Sequence, residues 1–156
     1  MLTLLRPGQD PLEIESIFVD VEGALSSDGR VHPKAKDKIN LLSKRTRIYL
    51  FAKGDPATWE KSLQKIKAEI VFVTEGMASN QKMDRLREVG AGRTIVIGNG
   101  LDDVDMIDEA GFGICVIGKE GASGEALKKA DLVVLNVLDA FDFLLKPLRQ
   151  RATLGK

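Results

Sequence analysis

Six short apolar runs, most of them rich in β-branched residues, are spaced along the chain with segments of helical period between them. They are Ser16–Asp20, Arg47–Phe51, Ile70–Thr74, Thr94–Gly98, Gly113–Ile117 and Leu132–Leu135. A strand that leaves one face in water alternates apolar and polar residues. These runs are nearly continuous, so both faces need cover, as in a parallel sheet. Parallel neighbours must be joined by crossovers, and the intervening segments read as helices. Pro33 opens one that carries Ala35, Ile39 and Leu42 on one face, and Asp55-Pro56 supplies an N-cap followed by proline at the first helical position. Others begin near Ser79, Leu101, Ser123 and Val137. The expected fold class is α/β: a doubly wound, mainly parallel sheet flanked by helices, forming a single domain over residues 1–156. The first thirteen residues, with Pro7-Gly8, read as an added edge strand.

Composition narrows the partners. The chain has 23 basic and 23 acidic residues, so no overall field favours nucleic acid or an anionic membrane, and any anion must be bound locally. The single cysteine, Cys115, lies inside the apolar run F-G-I-C-V-I, which excludes an internal disulfide and reads as a buried thiol in a reducing compartment. No apolar run approaches the ~20 residues that span a bilayer, and no charged-then-apolar leader is evident. A cytoplasmic protein is the expectation.

In a doubly wound sheet, ligands bind where strands end and helices begin. Four such places carry unusual chemistry. The first run ends on Asp20, Glu22 and Gly23; the second on Ala52-Lys53-Gly54-Asp55; Lys82 follows the third on a helix; and the fourth leads into G-N-G-L-D-D, Gly98 to Asp103. Acidic pairs and a lysine on one sheet edge suit Mg²⁺ and phosphate. Mg²⁺ takes a few carboxylates and fills the rest of its octahedron with water or phosphate oxygens, and lysine supplies a point charge. The glycines allow backbone to approach an anion. Plainer readings stand beside these. Asp20, Asp102 and Asp103 are also good turn or helix caps, Glu22 and Lys82 also suit a solvated surface, and His32 before Pro33 suits a turn. Trp59 and Met83 sit at helical core spacing.

D-V-E-G-A-L, from Asp20, resembles the first motif of the haloacid dehalogenase (HAD) superfamily, Asp-x-Asp-Gly-Thr. G-N-G-L-D-D-V-D-M, from Gly98, resembles the fourth, Gly-Asp-Gly-x-Asn-Asp-x-x-Met, with a second-motif strand and a third-motif lysine in order between them. More narrowly, that segment, with A-G-F-G-I-C-V-I-G-K-E-G-A, A-D-L-V-V and the tail K-P-L-R-Q-R-A-T-L, is similar to the capless, soluble P-type-ATPase-like branch. The resemblance implies a Mg²⁺-dependent phosphoryl hydrolase. Asp20 would be the nucleophile, forming an aspartyl-phosphate. Asp20, Asp103, the Glu22 backbone carbonyl and, as an additional ligand, Asp102 would hold Mg²⁺. Lys82 would bridge Asp20 and the phosphate, and Ala52, Lys53 and Gly54 would line the phosphate site.

Three departures bear on turnover. Glu22 replaces the aspartate that protonates the leaving alcohol and later activates water, and its extra methylene moves the carboxyl by about 1.5 Å, where roughly 1 Å of misplacement can cost about 100-fold. Ala52 replaces a Ser or Thr that donates to a phosphate oxygen, a loss worth up to ~3 to 4 kcal/mol by analogy with oxyanion-hole donors. Ala24 replaces the usual Thr. Two functions follow as expectations: a slow phosphatase, or a binding or regulatory subunit that keeps the fold without catalysis. A nucleotide-dependent ATPase has no support in the chain, which lacks the G-x-x-x-x-G-K-[S/T] phosphate loop.

The interval Asp20 to Ala52 accommodates a hairpin at Ser26 to Arg30 and one helix, and Ala52 to Lys82 one helix and one strand, so neither holds a cap domain. An open cleft implies a large phosphorylated substrate or a lid supplied by a neighbouring subunit. The resemblance also implies a homo-oligomer, with a tetramer as the expected form and the hairpin as contact.

Overall fold

The computed structural model describes residues 1–155. Six strands form one parallel sheet: β3 (Ser16–Asp20), β6 (Arg47–Lys53), β7 (Glu69–Val73), β8 (Thr94–Gly98), β9 (Phe112–Val116) and β10 (Leu132–Val134). Their spatial order is β10-β9-β8-β3-β6-β7, and every pairing is parallel. The chain moves outward from β3 through β6 to β7, then returns to the other side of β3 for β8, β9 and β10. That reversal beside β3 is a topological switch point, where a crevice opens at the carboxyl ends of the strands.

Alternation along the strands divides the core in two. Ile17, Val19, Ile48, Leu50, Ala52, Ile95 and Ile97 face one layer, with α1 (Ala35–Leu42) and α6 (Val137–Leu145). Phe18, Tyr49, Phe51, Val96 and Cys115 face the other, with α3 (Ala78–Val89), α4 (Val104–Glu109) and α5 (Gly124–Lys129). All five residues of β3, β8 and β9 are buried, the pattern of strands covered on both faces. α2 (Pro56–Glu60) starts on Asp55, whose carboxylate accepts from the Ala57 N–H at 3.0 Å, and Trp59 is buried on it; Met83 is buried on α3.

The strands Ser16–Asp20 and Thr94–Gly98 have the bounds read from sequence, the other four differ by a residue or two at an end, and two features differ more. The first fourteen residues do not extend the main sheet. They close on themselves as an antiparallel hairpin, β1 (Leu2–Leu4) with β2 (Leu12–Ile14), across a turn containing Pro7-Gly8. The tail, in turn, forms a helix, α7 (Pro147–Leu154), opened by proline at its first position. Gln150 on α7 ties the two together: it donates to the Phe143 carbonyl at 2.9 Å and accepts from the Leu5 N–H at 2.9 Å. Between β3 and α1 stands a short hairpin, β4 (Ser26–Ser27) with β5 (Arg30–Val31), and among the described residues no cap domain follows either β3 or β6.

Candidate active site

Asp20 is the last residue of β3 and has the same parity as Phe18, so it points toward the α3 side of the sheet. Lys82 on the first half of α3 comes up to meet it with no solvent exposure at all. The Lys82 Nζ lies 2.8 Å from Asp103 Oδ1, 3.2 Å from Asp20 Oδ1 and 3.2 Å from Asp102 Oδ2. A fully buried ammonium is costly unless its charge is matched, and here three carboxylates match it. Burial alone would pull the Lys82 pKa down; Asp103, Asp20 and Asp102 together outweigh it and hold the ammonium above its ordinary value.

The carboxylates are left in excess. Burial, reinforced by the neighbouring Asp103 charge, pushes Asp20 well above the usual carboxylate range despite Lys82. Asp102 goes the other way, since burial is outweighed by Lys82 and Lys53, and its carboxyl is held below that range. One oxygen from each of Asp20, Asp102 and Asp103 lies within 4.8 Å of the others. Three carboxylate oxygens brought this close, hard donors all, fit a hard divalent cation such as Mg²⁺.

Asp103 also organises the loop that carries it. Its Oδ2 accepts from the Asn99 and Gly100 N–H groups at 3.0 and 3.1 Å, folding Gly98–Asp103 back onto the end of β8. Gly98 permits that fold, because a Cβ there would lie 2.6 Å from the Asp103 carboxyl carbon. The short 3₁₀ turn Leu101–Asp103 then leads into α4.

The loop after β3 follows the same logic. Gly23 has φ +88°, and a Cβ on it would sit 2.2 Å from the Asn99 Nδ2. Glu22 is drawn sideways: its Oε1 accepts from the Lys53 N–H at 2.8 Å, while its Oε2 is buried without a donor. Its carboxylate is not among the three that cluster for a cation. Ala24 is buried in the core.

On β6, alternation separates two neighbours that the sequence reading placed together. Ala52 shares parity with Ile48 and Leu50 and is buried with them on the α1 and α6 face. Lys53 shares parity with Tyr49 and Phe51 and reaches the cleft, where its Nζ lies 2.6 Å from Asp102 Oδ2. Burial lowers the Lys53 pKa, but its pairing with Asp102 outweighs this and raises it. Its carbonyl accepts from the Trp59 Nε1–H at 3.4 Å. Gly54 turns the chain away, its N–H directed at the Val73 carbonyl at 3.4 Å. His32 makes a turn contact, its Nδ1 accepting from the Lys34 N–H.

Asn99 was not singled out from the sequence. Its Nδ2 donates to the Gly121 carbonyl at 3.3 Å, its Oδ1 is buried without a donor, and its own carbonyl accepts from Ser123 N–H at 2.7 Å. The signal was there: a carboxamide set between two glycines at a strand end has backbone on both sides that can approach closely.

No family model matches the chain. Among solved structures, 3-deoxy-D-manno-octulosonate 8-phosphate phosphatase from Moraxella catarrhalis, in complex with magnesium ion, phosphate ion and KDO, is similar with a TM-score of 0.70 at 16% identity, covering 86% of this chain and 87% of that one. The cobalt-bound deoxy-D-mannose-octulosonate 8-phosphate phosphatase of Haemophilus influenzae gives 0.66 at 16%, covering 92% and 91%. A Legionella pneumophila protein assigned to HAD subfamily III A gives 0.68 at 17%, covering 92% and 87%. At these identities the likeness is one of fold, and that fold is the HAD-type α/β sheet. In sequence, the uncharacterized protein MJ0073 of Methanocaldococcus jannaschii is 37% identical over 83 residues, 53% of this chain. Because the match takes in 89% of that protein, this chain belongs to the same family as MJ0073.

Proposed function

We propose that the protein is a phosphatase-type hydrolase of the HAD superfamily, acting on a phosphomonoester through an aspartyl-phosphate on Asp20. The observation that carries this reading is the buried Asp20–Lys82 pair, with Asp102 and Asp103 beside it, at the strand ends next to the switch point. An Asp20 oxygen attacks phosphorus and the ester P–O bond breaks, the departing alkoxide taking a proton. Water then attacks phosphorus and the bond to Asp20 breaks, releasing inorganic phosphate. Lys82 holds the nucleophile and the incoming anion together. Asp20, Asp102 and Asp103, with the Glu22 carbonyl, would hold Mg²⁺, which when bound would neutralise phosphoryl charge. The magnesium and phosphate named with the Moraxella protein support that choice of ion and substrate class.

The narrower assignment to the soluble P-type-ATPase-like branch belongs to this proposal and rests on the segments from Gly98 and from Lys146. So do a cytoplasmic location, a homo-oligomer, with a tetramer as the expected form, and a single domain with an open cleft for a large substrate. Among the described residues, no helix is long and apolar enough to cross a membrane.

Phosphate release from a panel of phosphate esters and ATP with Mg²⁺, comparing wild type with Asp20→Asn, tests the reading. Turnover lost in Asp20→Asn supports it; unchanged turnover in that variant sinks it. A second reading, a binding subunit without catalysis, is favoured by Glu22, whose Oε1 is engaged by the Lys53 N–H, and by the buried methyl at Ala52. Silence on every ester with Mg²⁺ still bound would select it.

A further inference from the structure

Between the β4–β5 hairpin and the ends of β9 and β10 lies a cavity of about 970 Å³. Asp20, Lys53, Lys82, Asp102 and Asp103 all lie outside its lining, so it is separate from the charge cluster. Its walls include Leu25, Val31, Ile117 and Leu135, and Leu135 is 72% exposed. A concave space of this size, with apolar walls and a few polar groups, is the usual form of a small-molecule site.

Two cations, Arg30 and Lys119, stand in that lining against one acid, Asp28. Among the described residues none of the three makes an ion pair. The backbone fixes where both cations stand. Arg30 follows Asp28-Gly29, whose φ angles of +53° and +77° form the tight hairpin turn that matches strand twist, with Ser27 and Arg30 in register. Lys119 follows Gly118, whose N–H donates to the Leu135 carbonyl at 2.9 Å, and its loop is tied again where the Gly121 carbonyl accepts from Asn99 Nδ2. Two anchored turns from different walls thus each bring one unpaired cation to one apolar cavity.

We propose that this cavity is a second ligand site, for an organic anion with an apolar body and a carboxylate or phosphate head. The body covers Leu25, Val31, Ile117 and Leu135, and the head is met by Arg30 and Lys119. Apolar area taken out of water favours the body, and charge-assisted hydrogen bonds favour the head. An inorganic anion lacks the first contribution and a neutral hydrocarbon the second, so the site selects molecules that have both. Two sources supply this chemistry, the organic half of a phosphoester and an independent ligand. Leu25 belongs to the turn after β3, and its N–H donates to the Asp20 carbonyl at 3.1 Å, so an occupant from either source touches the segment that carries Asp20.

The test is a fluorescence titration of the full chain with anilinonaphthalene sulfonate, an aromatic body carrying one anionic group, beside phenylnaphthylamine, which lacks the charge. Wild type should bind the sulfonate saturably. Arg30→Gln combined with Lys119→Gln should weaken the sulfonate by about 10-fold or more and the neutral amine by less than about twofold. Leu135→Ser should weaken both probes by about threefold or more. Two references lie outside the cavity: Arg45→Gln combined with Lys61→Gln, which removes two exposed cations, and Leu148→Ser, which removes an exposed leucine on α7. A loss in either reference equal to that in its cavity counterpart overturns the site, as does wild type without saturable binding. A neutral amine weakened as much as the sulfonate overturns the anionic head. Arg30→Lys combined with Lys119→Arg keeps both charges and should retain most of the affinity, which separates charge from folding. Naphthyl phosphate should displace the sulfonate, and failure to displace it also overturns the proposal. Displacement strengthened about fivefold or more by Mg²⁺ identifies the organic half of a phosphoester, whose phosphoryl group then reaches the Asp20 cluster; displacement indifferent to Mg²⁺ identifies an independent ligand. These readings involve no turnover, so they can fail while Asp20→Asn still abolishes hydrolysis, and the reverse.

Discussion

At the scale of single residues, the site is a charge balance in which Asp20 carries the strain. Its carboxyl is raised mainly by burial and then by Asp103, so it binds a proton more tightly in the folded chain than in the unfolded one. Such a group favours folding below the ordinary carboxylate range and withdraws that stability as pH rises from there through the raised value. Without metal, Asp20→Asn is therefore expected to gain stability relative to wild type as pH rises above the ordinary carboxylate range. The gain should vanish as pH falls into the carboxylate range, because wild-type Asp20 is then protonated too. Lys82 keeps Asp103 and Asp102 as partners in the variant. Melting curves of both proteins with chelator across pH check this; a variant less stable at neutral pH than at acid, relative to wild type, would contradict it. Asp102 has the opposite sign. Its lowered pKa contributes stability above the carboxylate range that is lost as pH falls through the folded value.

At the scale of elements, β6 shows what motif spacing can and cannot tell. The sequence reading ended this strand at Phe51 and put Ala52, Lys53 and Gly54 together in a phosphate loop, whereas the strand continues to Lys53. A residue kept in register with β7 through Lys53 obeys the strand period of two, which sends Ala52 into the core and Lys53 to the cleft. Asp20, Lys82, Asp102 and Asp103 were legible because each stands at the end of an apolar run or on the helix facing it. The Glu22 contact was not, since it joins side chain to backbone across two strand ends that only the fold brings together. Restoring a hydroxyl to β6 tests the point. Ala52→Thr should leave any phosphatase rate without improvement, and should lower stability by about 1 to 3 kcal/mol because a hydroxyl enters an apolar layer without a partner. Thermal denaturation and ester turnover measured together decide it. A faster, equally stable variant would place Ala52 at the phosphate after all.

At the scale of the molecule, the sheet order and the charge cluster are one arrangement. The reversal beside β3 brings the ends of β3, β6 and β8 to one crevice, and α3 crosses from β7 to β8 behind it with Lys82. This much was readable, because continuous apolar runs demand a parallel sheet and parallel sheets bind at their carboxyl ends. The terminal hairpin and α7 were less readable for a physical reason: α7 buries little besides Gln150, so it has no apolar stripe, and β1–β2 is too short for a periodic signal. The cluster's carboxylates come from β3 and from the turn after β8, and Lys82 comes from α3, so a cation seated there would link elements across the middle of the fold. A ligand that binds only the folded state stabilises it by mass action, about 2.7 kcal/mol at a hundredfold excess over its dissociation constant. For a chain of this size that corresponds to roughly 5 to 10 °C in melting temperature. Mg²⁺ is therefore expected to raise the melting temperature of wild type by that order, and a variant combining Asp20→Asn with Asp102→Asn should show little or no shift. The same measurement with wild type at acid pH should also lose the shift, because Asp20 must give up its proton before it can serve as a ligand. A wild-type protein that melts at one temperature with and without saturating Mg²⁺ would remove the cation from the site.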